Sequence, residues 1–224
     1  MDGVFRGIRT GAMILAMAAL AAPMAGAQSK GLLGGNVQAS GAVEAEARAE
    51  IERLEKRIAA TPDNYRLHYE LGNVLYDAAQ LERAQASFEE AHRLNPKHLE
   101  TLVNLGSALS DLNKHEEAVK QFEKALALNP EDCKARSNLG NAYYAMAKYP
   151  DAMYEYRRAI ALDPKCYSAL YNVGVAFADA GLFREAVNWW QKVVQVAPGT
   201  DAARNAEENI KILERFTQAP SPTQ

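Results

Sequence analysis

The sequence predicts an all-α solenoid, a row of stacked helix pairs, on three observations. A Leu-Gly or Val-Gly dipeptide recurs every 34 residues, at Leu71-Gly72, Leu105-Gly106, Leu139-Gly140 and Val173-Gly174. The alanines Ala84, Ala118, Ala152 and Ala186 and the large side chains Phe88, Phe122, Tyr156 and Trp190 keep the same interval. So do Pro96, Pro130, Pro164 and Pro198. Self-similarity at a fixed period of this length marks a repeat architecture, in which each unit buries its apolar face only against its neighbours.

Composition sets the bounds. The chain has 224 residues, 48% hydrophobic and 24% charged, as folded soluble proteins do. Its formal net charge of −3 lacks the basic excess of a nucleic-acid binder. Arg6 and Arg9 precede a short apolar run from Gly11 to Ala22, Pro23 breaks it, and Ala25-Gly26-Ala27 stands before Gln28. These are the three parts of a secretory signal peptide over residues 1–27. A bilayer span needs about 20 apolar residues, so no membrane insertion is expected once the peptide is cleaved. The style of the peptide suits bacterial export, with the periplasm as the expected destination.

Taken in order, residues 28–42 carry four glycines and read as a flexible leader. Residues 43–62 are dense in helix formers, with Ala47, Ile51, Leu54 and Ile58 on one stripe, and read as an N-terminal capping helix. Four units follow at 65–98, 99–132, 133–166 and 167–200. Each holds two helical patterns and a short polar turn, and each second helix stops at its proline. Pro150 falls just inside the second helix of the third unit, where its missing N–H costs nothing. The repeated glycine, costly inside a helix, implies close approach to the second helix, with the repeated alanine as the expected contact. The aromatic places are expected to wedge between units. Residues 201–216 form a C-terminal capping helix in which Glu207 and Glu208 replace the Leu-Gly pair and end the array. Residues 217–224 read as a disordered tail. Cys133 and Cys166 lie 33 residues apart at nearly equivalent places. Helices pack about 8–10 Å apart and a bridge needs Cα atoms within about 7 Å, so two separate thiols are favoured; the alternative is a bridge, persistent in an oxidising compartment, if the one-position offset brings the pair nearer.

The pattern resembles the tetratricopeptide repeat (TPR) family, whose signature is W-x2-L-G-x2-Y … A-x3-F … P. Four units match it in register over residues 65–200. The tryptophan place holds His68, Leu102, Arg136 and Leu170, and the tyrosine place Leu75, Leu109, Tyr143 and Phe177. His68 and Arg136 imply looser packing. The resemblance implies a right-handed superhelix of helix-turn-helix TPR units whose first helices line a concave groove. Inward-facing places on those helices are the second, fifth, sixth, ninth, twelfth and thirteenth.

Those places yield the candidate binding residues Asn73, Asn104, Lys134, Asn138, Asn141, Tyr144, Tyr171 and Asn172. Asn104, Asn138 and Asn172 repeat at the unit period. A primary amide both donates and accepts, so this row is similar to the ladder by which peptide-binding grooves of the family hold a backbone. The alternative is that these asparagines cap or pack locally. A carboxylate clamp of the kind known in the family is incomplete, since Asn73, Asn104 and Lys134 match it while Tyr69 and Asn138 do not. The tyrosines offer stacking surface suited to a protein interface. His68, His92, His98 and His115 have no metal-ligand spacing, and no nucleophile or phosphate-binding motif appears. No cofactor is expected. The expectation is therefore an exported, non-enzymatic scaffold holding a protein or peptide segment. The alternative is an envelope assembly factor that forms homo-oligomers through its N-terminal helix.

Overall fold

A computed structural model describes residues 37–218, which form ten helices. Helix α1 spans Val37–Ala60. It begins before the expected boundary, so residues 37–42 of the expected leader are helical. One glycine inside a helix costs only about 1 kcal/mol, so Gly41 alone does not stop it. The signal peptide and residues 28–36 lie outside the described residues. Ile51 and Leu54 of α1 are buried in one cluster with Leu67 and Leu71, as a cap requires.

The units are four helix pairs. They are α2 (Tyr65–Asp77) with α3 (Leu81–Leu94), α4 (Leu99–Asp111) with α5 (His115–Leu128), α6 (Cys133–Ala145) with α7 (Tyr149–Leu162), and α8 (Tyr167–Asp179) with α9 (Phe183–Val196). Helix α10 spans Asp201–Gln218, two residues beyond its expected end. Residues 219–224 of the expected tail lie outside the described residues. Ala206 and Leu213 of α10 are fully buried and close the far end of the core.

Local chemistry sets the helix ends. Asn64 accepts a hydrogen bond from the Arg66 amide at 3.1 Å and Asp132 one from Ala135 at 2.6 Å, both N-caps. Thr200 does the same for the Ala203 amide at 3.2 Å. Each first helix ends in a turn with one residue at positive φ, Ala79 (57°), Asn113 (59°), Ala147 (57°) and Gly181 (75°). The amide beyond it returns to the helix, as Gln80 does to Leu75 O at 2.8 Å, so the last carbonyls are satisfied.

The close contact within each unit differs from expectation. A methyl on Gly72 would meet the Phe88 ring at 2.5 Å, one on Gly106 the Phe122 ring at 2.5 Å, and one on Gly140 the Tyr156 ring at 2.5 Å. On Gly174 it would collide with Trp190 Nε1. The glycine thus faces the aromatic side chain of its own unit's second helix, not the alanine. A flat ring covers bare backbone with far more contact area than a methyl can. The places read as loose are also tied down. His68 Nε2 bonds Pro62 O at 2.8 Å. Arg136 donates to Pro130 O at 2.6 Å and to Glu155 at 2.8 Å, so its nearly buried guanidinium is paired with a carboxylate.

Cys133 and Cys166 form a disulfide, against the expectation of separate thiols. Cys133 is the first residue of α6, whereas Cys166 caps α8 from the preceding turn. That single step back brings the Cα atoms to 5.9 Å, well inside the packing distance of helix axes.

Two opposite glycine swaps test this account by urea unfolding. Gly140→Ala should cost about 1–2 kcal/mol, the overpacking penalty less the gain in helix propensity. Ala147→Gly should gain about 1 kcal/mol by relieving positive φ. An unchanged midpoint for Gly140→Ala would sink the contact argument. Reducing the disulfide should remove up to about 4 kcal/mol, the chain entropy of a loop this long, read as a lower thermal midpoint with dithiothreitol.

Candidate functional site

The first helices α2, α4, α6 and α8 lie side by side and form one wall of the stack, joined by hydrogen bonds between units. The sixth residue of each helix donates to the ninth of the one before. Asn104 Nδ2 reaches Asn73 Oδ1 at 2.8 Å, Asn138 Nδ2 reaches Ser107 Oγ at 3.3 Å, and Asn172 Nδ2 reaches Asn141 Oδ1 at 2.6 Å. The fifth residue adds a second acceptor at two junctions, Tyr69 OH for Asn104 and Ser137 Oγ for Asn172, both at 3.3 Å. The repeated asparagines therefore hold neighbouring units together. Asn138 and Asn172 retain only 7% and 6% of their surface. A buried amide must be paired, and at this spacing its partner is the next helix.

A second row runs nearer the helix ends. The Tyr76 hydroxyl donates to Asp111 Oδ2, and that of Tyr144 donates to Asp179 Oδ2 at 2.6 Å. Burial first, and the carboxylate partner second, push both phenols up, so they stay protonated donors. Burial also raises Asp111, against the bond from Tyr76 that holds it down.

Of the other expected groove residues, Tyr171 is buried. Its hydroxyl accepts from Asn209 of α10 at 3.0 Å and its carbonyl from Trp190 Nε1 at 3.1 Å. It serves the junction with α10 rather than an open stacking surface. Lys134 is exposed, and Asn73, Asn104, Asn141 and Tyr144 are half-buried. One cavity of about 50 Å³ opens between α4, α5 and α6 over Phe122. Sequence reasoning placed Ser107, Ser110 and Asp111 on the inward face but singled none of them out, and His115 it considered only as a metal ligand. The signal was the absence of a Tyr-Asp pair at this junction, which shows only when the units are compared in register.

Among the described residues no group of three or more His, Cys, Asp or Glu side chains could hold a metal ion. No helix among them is long and apolar enough to cross a membrane.

Two family models match the repeats, one described as a tetratricopeptide repeat at residues 65–98 and one as a TPR repeat at 106–147 and 140–181. No curated protein matches the chain. Solved structures with the same architecture include MamA, at 24% identity and a TM-score of 0.59, covering 73% of this chain and 96% of that one. YrrB, described as a TPR protein with an unusual peptide-binding site, is 23% identical with a TM-score of 0.54, covering 73% and 84%. TTC0263, a thermophilic TPR protein in Thermus thermophilus, is 16% identical with a TM-score of 0.64, covering 74% and 91%. At these identities the likeness establishes the fold. Repeat matches, helix pairs and register agree, and the chain belongs to the tetratricopeptide-repeat family.

Proposed function

We propose that this chain is an exported scaffold that holds an extended protein segment along the wall of its first helices. The observation that carries this reading is the distribution of polar groups on that wall. Tetratricopeptide repeats are interaction scaffolds, and here the wall presents Lys134 and the edges of Asn73, Asn104, Asn141 and Tyr144. Such a mixture of amide, phenol and charge suits a peptide backbone and its side chains. YrrB, with its peptide-binding site, supports the same use of the fold. The asparagine row contributes less to the partner than the sequence implied, because each of its amides donates to the preceding unit. Binding then rests on the half-buried edges and on the cavity over Phe122.

Export is supported by the signal-like residues 1–27 and by the Cys133–Cys166 bridge, since disulfides persist in oxidising compartments. The periplasm is the compartment this combination favours. Expressed in a bacterium, the full chain should appear in the periplasmic fraction with Gln28 at its N-terminus; an intact N-terminus in the cytoplasm would reject export.

Photo-crosslinking locates the partner. A photoreactive phenylalanine in place of Lys134 should trap peptides selected for binding, whereas one in place of Tyr154, which is 57% exposed on α7, should not. The reverse pattern would reject the wall of first helices as the binding surface.

A further inference from the structure

The outer side of the stack repeats a feature that neither the packing nor the wall of first helices uses. The tenth residue of each second helix is Glu90 in α3, Lys124 in α5, Arg158 in α7 and Lys192 in α9, 34 residues apart. Glu90 is taken up by Arg93 of its own helix at 2.6 and 2.8 Å. The three cations are exposed, and among the described residues none of them pairs with a carboxylate. They are held in place all the same. Lys124 donates to Gln121 Oε1 at 3.2 Å, Arg158 lies 5.9 Å from the centre of the Tyr154 ring, and Lys192 lies 3.8 Å from that of Trp189. A ring face attracts a cation without neutralising it, so these side chains are pre-positioned and still in want of an anion.

Apolar surface is exposed beside the same row. Tyr154 stands four residues before Arg158 and is 57% exposed; Leu128 and Leu162 stand four after Lys124 and Arg158, at 44% and 41%. Residues four apart share one face of a helix, so these side chains flank the cations on the same outward face. Among the described residues only Tyr167 is a further large apolar side chain left so exposed. Such side chains scattered singly are ordinary, whereas their gathering along a row of unpaired cations marks an interaction surface. Carboxylates bound the band toward the helix starts, where Glu116 and Glu117, Asp151 and Glu185 occupy the first turns of α5, α7 and α9.

We infer that this band is a second docking surface, for an acidic segment of another protein whose carboxylates meet Lys124, Arg158 and Lys192 and whose apolar side chains lie on Leu128 and Leu162. It is separate from the wall of first helices and does not depend on what that wall holds. Opposite charge steers such a segment onto the row and fixes its register there. A phosphate backbone would use the cations and leave the leucines uncovered. An anionic lipid surface would be pressed against the carboxylates at the helix starts and against a chain of net charge −3. A narrow segment avoids both.

Binding of a fluorescent glutamate–leucine copolymer to the full chain in dilute buffer, read by anisotropy, tests this. The triple variant Lys124→Gln, Arg158→Gln, Lys192→Gln should bind about thirtyfold more weakly, roughly threefold for each exposed pair lost. It should keep its thermal midpoint, because these side chains hold no carboxylate in the fold. Leu128→Gln with Leu162→Gln should weaken binding of the copolymer and leave poly-glutamate, bound through charge alone, unchanged. Salt at about 1 M screens exposed charges and should abolish binding at this band. The peptides that Lys134 is to trap are therefore those selected in such salt, which reads the two surfaces apart. Copolymer binding that survives in the triple variant, no binding to the unaltered chain, or binding to phosphatidylglycerol vesicles in place of the copolymer overturns the acidic-segment inference and leaves the reading of the wall in place.

Discussion

Everything in this stack depends on one contact, the aromatic ring of each second helix lying on the bare glycine of the first. Phe88, Phe122, Tyr156 and Trp190 are at most 2% exposed, and each occupies the space a Cβ on its glycine would need. The contact draws the two helices together and fixes their spacing in every unit. Interiors are close-packed, so a spacing set in this way is transmitted to the next unit rather than absorbed. In the last two units the ring also carries a polar handle. Tyr156 OH donates to Asn141 and Trp190 Nε1 to the Tyr171 carbonyl, which ties the intra-unit contact to the wall of first helices.

On that wall the repeated polar groups serve the stability of the stack first. Amide and phenol groups repeated at the unit period find each other first, because the neighbouring helix is always present and a partner is not. What remains for a ligand is what the inter-unit bonds leave over. At the second junction the leftover is largest, since Ser110 and Ala145 replace a tyrosine and an aspartate. A solenoid is a natural place for such a local departure: each unit touches only its neighbours, so one junction can be opened without unmaking the rest.

The disulfide acts at the other end of the same helices. It clips the start of α6 to the turn before α8, whereas the Tyr144–Asp179 bond joins those two helices near their C-termini. The first and third junctions thus have the Tyr-Asp bond, the third has a covalent clip as well, and the second has neither.

The repeat period, the Leu-Gly, aromatic and proline places and the capping residues determined the helix pairs and their order, because each is a local rule applied four times. The same register assigned every candidate binding residue to a first helix. It did not reveal that Asn104, Asn138 and Asn172 bond the preceding unit, that Tyr171 is buried under α10, or that Arg136 is held by Glu155. Those outcomes depend on which side chains meet across a packed interface, and a period along the chain carries no such distance. The same reason separates the two cysteine readings. Thirty-three residues and thirty-four look alike in sequence, but one residue decides whether Cys166 stands on its helix or in the turn within reach of Cys133.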